Sequence, residues 1–452
     1  MSHSETRVAR LLREMRVSFV LALPLVLGQV SSMAMNIVDT VLAGRHGPVT
    51  LAAVGVGSAV WSVVILVSIG VLMAVPPTVA QLNGAGRRAE IGPVFRQAVW
   101  LALALGFGLF FVVRAGALAL EPLGITAEAR PEAVAFLRAI SWGAPGLALY
   151  FGLRNLSEGV AWTLPAMVFG LAGLVLLAPL GWALMFGLGL GAAGLGYAVA
   201  ITLYCQCAAL GWYLWRSPRF ADLGLFARYD PPRWAPIRDL LRLGLPMGVS
   251  VFMEGSLFVA TALLIGKLGT TQIAAHQIAI LMASLCFMVP LGVAMATTVR
   301  VGHAVGAGDR SAVRWSAAAG YSLAMVAQTL SALVLVFAGV FLAGLFTQDP
   351  AVIALAALLM AYAAVFQYPD GLQAMSAGAL RGLKDTRVPM FITVLAYWGV
   401  GLPLGYWLGL VKGQGAPGLW TGLIFGLSVA ACLLGWRFWR LAGRPLAPVR
   451  VT

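Results

Sequence analysis

Twelve apolar runs, each about as long as the roughly 20 residues a helix needs to cross a bilayer, fill most of this 452-residue chain. They read as helices over 16–43, 51–78, 92–115, 131–153, 162–186 and 192–215, then 239–266, 273–300, 312–342, 352–380, 388–410 and 416–440. In lipid every backbone N–H and C=O must be paired within the chain, so an all-α membrane protein of twelve transmembrane helices is expected. Charged residues make up 10% of the chain and the mean hydropathy is +0.92, where soluble domains carry about 25% charge. The 53 glycines suit membrane helices, whose backbones approach closely through small residues.

The net charge of +14 comes from basic residues scattered between the apolar runs, not from one basic domain, so no nucleic-acid partner is expected. Six of the 30 Lys and Arg residues fall on one side of the twelve-helix map, at Arg45, Arg114, Arg130, Arg138, Lys267 and Lys412. The rest, including Arg87, Arg216, Arg310, Arg381 and Lys384, share a side with both termini. Positive charge collects in the cytoplasm, which places both termini there in a bacterial inner membrane. The arginines at 7, 10, 13 and 16 before the first run resemble a signal peptide, but the run is too long for one and reads as a retained helix. Cys205, Cys207, Cys286 and Cys432 all lie in apolar runs and imply neither disulfides nor zinc. The chain has no phosphate-binding Gly-Lys-Ser/Thr loop, and no nucleophile or metal-ligand motif. No catalytic residues and no cofactor are therefore expected; the chain reads as a transporter, not an enzyme.

A shift of 222 residues superimposes Leu23-Pro24 on Leu245-Pro246, Gly70 on Gly292, and Gly84-Ala85-Gly86 on Gly306-Ala307-Gly308. Further on, a shift of 224 superimposes Pro165 on Pro389 and Pro179-Leu180-Gly181 on Pro403-Leu404-Gly405. Six helices are repeated as six, an even number, so the halves are parallel repeats and a substrate site is expected at their interface. The expected domains are 1–217 as an N-lobe, 218–238 as a proline-rich cytoplasmic linker, and 239–452 as a C-lobe with a cytoplasmic tail.

Three acids lie inside apolar helices: Asp39 on helix 1, Glu254 on helix 7 and Asp370 on helix 10. Such residues are costly and by default functional. At about 1.5 Å per residue, Glu254 lies roughly 18 Å from Arg242 and Asp370 roughly 17 Å from Arg381, a shared depth near mid-membrane; Asp39 is only about 9 Å from Arg45 and lies nearer the outer face. A carboxylate in low dielectric takes up a proton or a cation, and either event can be coupled to release of a cationic substrate. Pro369 frees the carbonyl of Val365, and unwound carbonyls of this kind can coordinate Na⁺. Glu254, Asp370 and Asp39 are thus the cation- or proton-coupling candidates, with Na⁺ at Glu254 and Asp370 as one alternative and H⁺ as the other. Gln29, Asn36 and Gln277 are candidates to line a cavity, and Phe287, Tyr362, Phe366 and Tyr397 to hold an organic cation by cation–π contact. His276 and His303 fall at the two ends of helix 8, and Glu158 is one helical turn from Arg154 and is expected to pair with it.

Several of these stretches resemble one family. Leu23-Pro24 and Asp39-Thr40, Met253-Glu254, the Ala274-Ala275-His276-Gln277-Ile278 stretch, Pro369-Asp370, Leu380-Arg381-Gly382-Leu383-Lys384-Asp385-Thr386 and Gly401-Leu402-Pro403-Leu404-Gly405 are similar to the multidrug and toxic compound extrusion (MATE) transporters of the NorM type. The resemblance runs through nearly the whole chain. It implies a V-shaped pair of six-helix lobes that export cationic, amphipathic drugs in exchange for Na⁺ or H⁺; a monomer is expected. It also implies that Glu254 and Asp370 are the C-lobe cation-site acids and Asp39 the N-lobe acid. Where the family commonly has asparagines beside the Pro-Leu pair of helix 5, this chain has Leu177 and Gly181, which moves weight to the C-lobe. The alternative within the wider superfamily is a lipid-linked-oligosaccharide flippase, which would be expected to show basic residues midway along helices 1, 2, 7 or 8; a passive channel is the other. No Lys or Arg occupies those positions.

Overall fold

The computed structural model describes residues 6–118, 120 and 126–445, and these are helical almost throughout, with no strand among them. Eleven helices are long and apolar enough to cross a membrane, and a bent pair supplies a twelfth span. In chain order they are α1 (Arg7–His46), α2 (Pro48–Gly84), α3 (Arg88–Leu118), α4 (Arg130–Ser141 and Gly143–Gly159), α5 (Leu164–Gly187), α6 (Gly191–Arg216), α7 (Trp234–Gly266), α8 (Thr270–Gly306), α9 (Arg310–Gly344), α10 (Pro350–Gly382), α11 (Arg387–Val411) and α12 (Ala416–Ala442).

Several helices outrun their apolar segments, because hydropathy senses only the part that meets hydrocarbon. The first helix starts at Arg7, not at 16, and α7 starts at Trp234, inside the expected linker. Two spans are interrupted where proline removes a donor. In α2, which breaks after Leu72, Pro76 cannot donate to the Leu72 carbonyl, and the Asn155 side-chain amide does so instead at 2.9 Å. In α4 the two pieces are bent by 42°, and Pro145 leaves the Ser141 carbonyl without its usual helical donor. Both α5 and α11 end in a π-helical turn, Ala183–Gly187 and Trp407–Val411, at corresponding places in the two repeats. A second π stretch, Leu395–Gly401, occurs only in α11.

Packing divides the chain differently from the sequence repeat. One compact unit, the N-unit, is Leu27–Gly248; the other, the C-unit, holds the described residues up to Val26 together with those from Val249 on. The first half of α1 therefore packs with the second half of the sequence, and the first half of α7 with the first. The two division points, after Val26 and after Gly248, are themselves separated by the repeat offset, and each follows the repeated proline, Pro24 or Pro246.

Glycine permits both attachments. A Cβ on Gly70 of α2 would lie 2.3 Å from Gly248 Cα, and one on Gly244 would lie 2.1 Å from the Val71 carbonyl oxygen. In the C-unit, a Cβ on Gly292 of α8 would lie 2.8 Å from the backbone nitrogen of Val26. Gly70 and Gly292 are repeat partners, as are Gly248 and Val26. Below the second contact, Arg300 of α8 pairs with Glu14 and donates to Ser18, which fixes the lower part of α1.

The segment expected as the cytoplasmic linker is fastened to the N-unit over part of its length. Arg88 grips Asp222 through two hydrogen bonds of 2.5 and 3.0 Å, Arg96 donates to Asp230 at 2.7 Å, and the Gln97 amide bridges the Pro231 carbonyl and the Arg233 N–H. The Arg88 hydrogen bond holds the Asp222 carboxyl below its ordinary range, and Arg96 does the same for Asp230. Lowered carboxylate pKa values contribute stability at neutral pH that is lost as pH falls through the carboxylate range, so this fastening weakens only in acid.

Because overpacking a close backbone contact costs about 1–3 kcal/mol, Gly292→Leu should lower the melting temperature of the detergent-solubilised protein. Gly255→Ala, at a site with nothing within 4 Å of the added Cβ, should leave it within a degree or two of wild type; equal melting of both variants would contradict the packing argument.

Candidate coupling site

Glu254 and Asp370 belong to one unit. Glu254 stands half-buried on the second half of α7 and Asp370 on α10, where it is 4% exposed. Each lies within electrostatic reach of the other, and the Tyr397 hydroxyl lies within reach of both. The guanidinium of Arg381, near the end of α10, also sits in the field of Glu254.

Local sequence explains the positions. On α10, Asp370 directly follows the in-helix Pro369. Tyr397 occupies the extra π stretch of α11, a wider turn that re-aims its side chains and often marks functional sites. That stretch is backed by glycine: a Cβ on Gly426 of α12 would fall 2.8 Å from Gly401 Cα. From α11, the Trp398 indole donates to the Met253 carbonyl at 3.2 Å, which ties the turn to α7 next to Glu254.

Asp370 Oδ1 and the Tyr397 hydroxyl are buried without a hydrogen-bond partner among the described residues. Buried polar atoms are nearly always satisfied, so such orphans call for an explanation. Oxygen donors of this kind, carboxylate and hydroxyl, suit a hard monovalent cation or a shared proton.

Asp39 falls in the N-unit and is not brought together with Glu254 and Asp370. It is half-buried and its Oδ1 also lacks a partner among the described residues. Deeper in that unit, Arg154 and Glu158 form the expected pair, Nε to Oε1 2.6 Å, with side chains only 5% and 1% exposed. The same guanidinium donates to Gln29 Oε1 at 3.2 Å, so Gln29 is engaged in a buried ion-pair network.

The remaining candidates are dispersed. Asn36 and Gln277 are exposed, and Phe287 and Tyr362 are half-buried. Phe366, expected on a cavity wall, is 3% exposed and packs edge-on against Phe258 and Trp420, a core position. His276 lies in the second turn of α8, near its expected end; it is 1% exposed and its Nδ1 accepts from the Trp420 indole at 3.2 Å. Sequence reasoning passed over the buried amides Gln328 and Gln367 and took Arg381 as a cytoplasmic depth marker, not as a neighbour of Glu254. The signal of the amides was available, since an amide inside an apolar helix needs a partner as an acid does.

The family model described as MatE matches residues 24–183 and 246–407, one segment per repeat. A "Probable multidrug resistance protein NorM" of Xanthomonas axonopodis pv. citri is 53% identical, with 96% of each chain covered. The "Multidrug resistance protein PmpM" of Pseudomonas aeruginosa is 39% identical over 97% of this chain and 94% of its own. Among solved structures, the eukaryotic MATE transporter AtDTX14 shares the fold with a TM-score of 0.87 at 20% identity, covering 96% of this chain and 99% of its own.

Removing one partner of a buried ion pair costs about 3–5 kcal/mol, while replacing both by apolar residues can be neutral. Arg154→Met should therefore sharply reduce folded yield in the membrane, and Arg154→Met with Glu158→Leu should restore most of it. Fluorescence-detected size exclusion measures both, and a double variant no better than the single one would refute the pairing argument.

Proposed function

The chain belongs to the MatE family, and from that premise we propose that it is a multidrug exporter, moving cationic amphipathic compounds out of the cell in exchange for Na⁺ or H⁺. The observation that carries this reading is the pair Glu254 and Asp370, with the buried Asp370 Oδ1 lacking a hydrogen-bond partner among the described residues. Two carboxylates in one low-dielectric site cannot both remain charged without a proton or a cation beside them. An entering Na⁺ or H⁺ and a departing cationic drug then compete for the same negative charge. Relatives named for multidrug resistance support the substrate class.

In this reading Glu254 and Asp370 hold the coupling ion, Tyr397 offers its hydroxyl to it, and Asp39 forms a separate, shallower acid on the N-unit. The protein works as a monomer in the bacterial inner membrane with both termini in the cytoplasm, as the distribution of Lys and Arg supports. A flippase for an anionic lipid-linked sugar is disfavoured by the lack of Lys and Arg midway along α1, α2, α7 and α8.

Efflux of ethidium from inverted vesicles, with the Na⁺ and pH gradients varied separately, is expected to respond to at least one gradient; indifference to both would end the antiporter reading. In the same assay Asp370→Asn should abolish gradient-driven export while the protein stays folded in the membrane, and retained export would move the coupling site elsewhere.

A further inference from the structure

Pro145 in α4 and Pro369 in α10 are repeat partners, separated by the 224-residue offset, yet their helices differ. The span through Pro145 is broken and bent by 42°, whereas α10 runs through Pro369 as one helix from Pro350 to Gly382. What packs against each proline turn also differs. In the N-unit the neighbour is Gly106 of α3: a Cβ there would fall 2.5 Å from Pro145 Cα, so the two backbones touch directly.

In the C-unit the neighbour is a side-chain amide. Gln328 of α9 is 1% exposed, and its Nε2 donates to the backbone carbonyl of Gln367, two residues before Pro369. The amide fills the space over Gly371, where a Cβ would lie 2.0–2.3 Å from its three terminal atoms. Asp370 is the residue between. Gln367 is held in turn by Ser331 of α9, whose hydroxyl donates to Gln367 Oε1 at 2.5 Å. Two further α9 side chains join α10 on either side of this point, Tyr321 to Ser376 at 2.7 Å and Thr329 to Tyr368 at 3.3 Å. Gln328 Oε1 and Asp370 Oδ1 are both without a hydrogen-bond partner among the described residues.

We propose that Gln328 is a positioning residue for Asp370: wedged on Gly371 and bonded to the Gln367 carbonyl, it splints α10 across the Pro369 turn and so fixes where the Asp370 carboxylate stands. The inference rests on the reading of Asp370 as a coupling acid. An amide serves where a hydrocarbon would not, because it fills the space over Gly371 and at the same time donates to the Gln367 carbonyl, holding α10 from outside on both sides of Asp370; the carbonyl that Pro369 itself frees is that of Val365. Glycine at 371 is required for the same reason, since any side chain there would displace the wedge.

A splint of this kind sets the affinity of the acid for its ion, not the capacity to move substrate once the ion is bound. The test uses the full-length protein in proteoliposomes, with ethidium efflux measured against Na⁺ concentration and against pH. Three variants are compared with wild type: Gln328→Leu, the compensating pair Gln328→Ala with Gly371→Ala, and Asp370→Asn. The first two should shift the half-saturating Na⁺ concentration, or the pH midpoint, by about tenfold or one pH unit, the size seen when an outer-shell support is removed from an ion site. Their maximal rate at saturating ion should stay within about twofold of wild type, a split that general loss of folding would not produce.

The paired variant refills the space over Gly371 without the donor, so it decides the matter even if Gln328→Leu folds poorly. A wild-type midpoint in that folded pair overturns the role of Gln328. If Asp370→Asn loses its ion dependence in the same experiment, the coupling reading survives that failure; if Asp370→Asn keeps it, the coupling reading falls first.

Discussion

The arrangement depends on two places where a glycine lets a neighbouring helix come within backbone contact, at Gly70 and at Gly292. Lipid supplies no hydrophobic force between helices, so close packing must hold them, and only glycine lets backbones approach this far. Gly70 receives the backbone at Gly248, and its repeat partner Gly292 receives the backbone at Val26. These contacts allow the first halves of α1 and α7 to be exchanged between the units. The exchange is symmetric in the repeat, since the two division points are separated by the repeat offset and each follows the repeated proline.

The duplicated scaffold carries unlike chemistry. In the N-unit the deep charges cancel, since Arg154 and Glu158 pair with each other and Gln29 completes the shell. In the C-unit, Glu254 and Asp370 lie within electrostatic reach of each other, with the Arg381 guanidinium in the field of Glu254. The repeat equivalents of Glu254, Asp370 and Tyr397 are Ser32, Gly146 and Gly173. Gly173 is filled by the Gln206 amide, whose nitrogen lies 1.9 Å from where a Cβ would be, so the space that a tyrosine occupies in α11 is closed in α5. The N-unit pairs Arg154 with Glu158 one for one, whereas the C-unit sets two acids near the Arg381 guanidinium, which leaves negative charge for an exchangeable cation.

Much of this was legible in the sequence. The spans, the repeat, the three acids and the Arg154–Glu158 pair all follow from patterns that depend on composition and short spacing. The exchange of half-helices was not legible, because hydropathy treats α1 and α7 as single runs and the glycines that fix the crossing look like any others. Phe366 reads as a candidate for cation binding for the same reason: an aromatic in an apolar helix has one appearance in sequence, whether it faces a cavity or, as here, Phe258 and Trp420. The π stretch around Tyr397 is likewise invisible to a pattern search, since it inserts no residue relative to α5 and changes only which way the side chains turn.

The comparison of Pro145 with Pro369 suggests why the acid sits on α10. A proline in a helix leaves a carbonyl unpaired and makes the following turn soft. In α4 that softness is spent as a bend, with the α3 backbone pressed against it at Gly106. In α10 the Gln328 amide donates to the Gln367 backbone carbonyl and the Ser331 hydroxyl to the Gln367 side chain, so α9 braces the turn beside Asp370 while the Val365 carbonyl freed by Pro369 stays outside the ladder. A carboxylate there gains both a rigid position and neighbouring carbonyls not fully committed to the helix. A straight helix without proline would offer the position alone, and a bent one without the amide would offer the carbonyls at a geometry no other element holds.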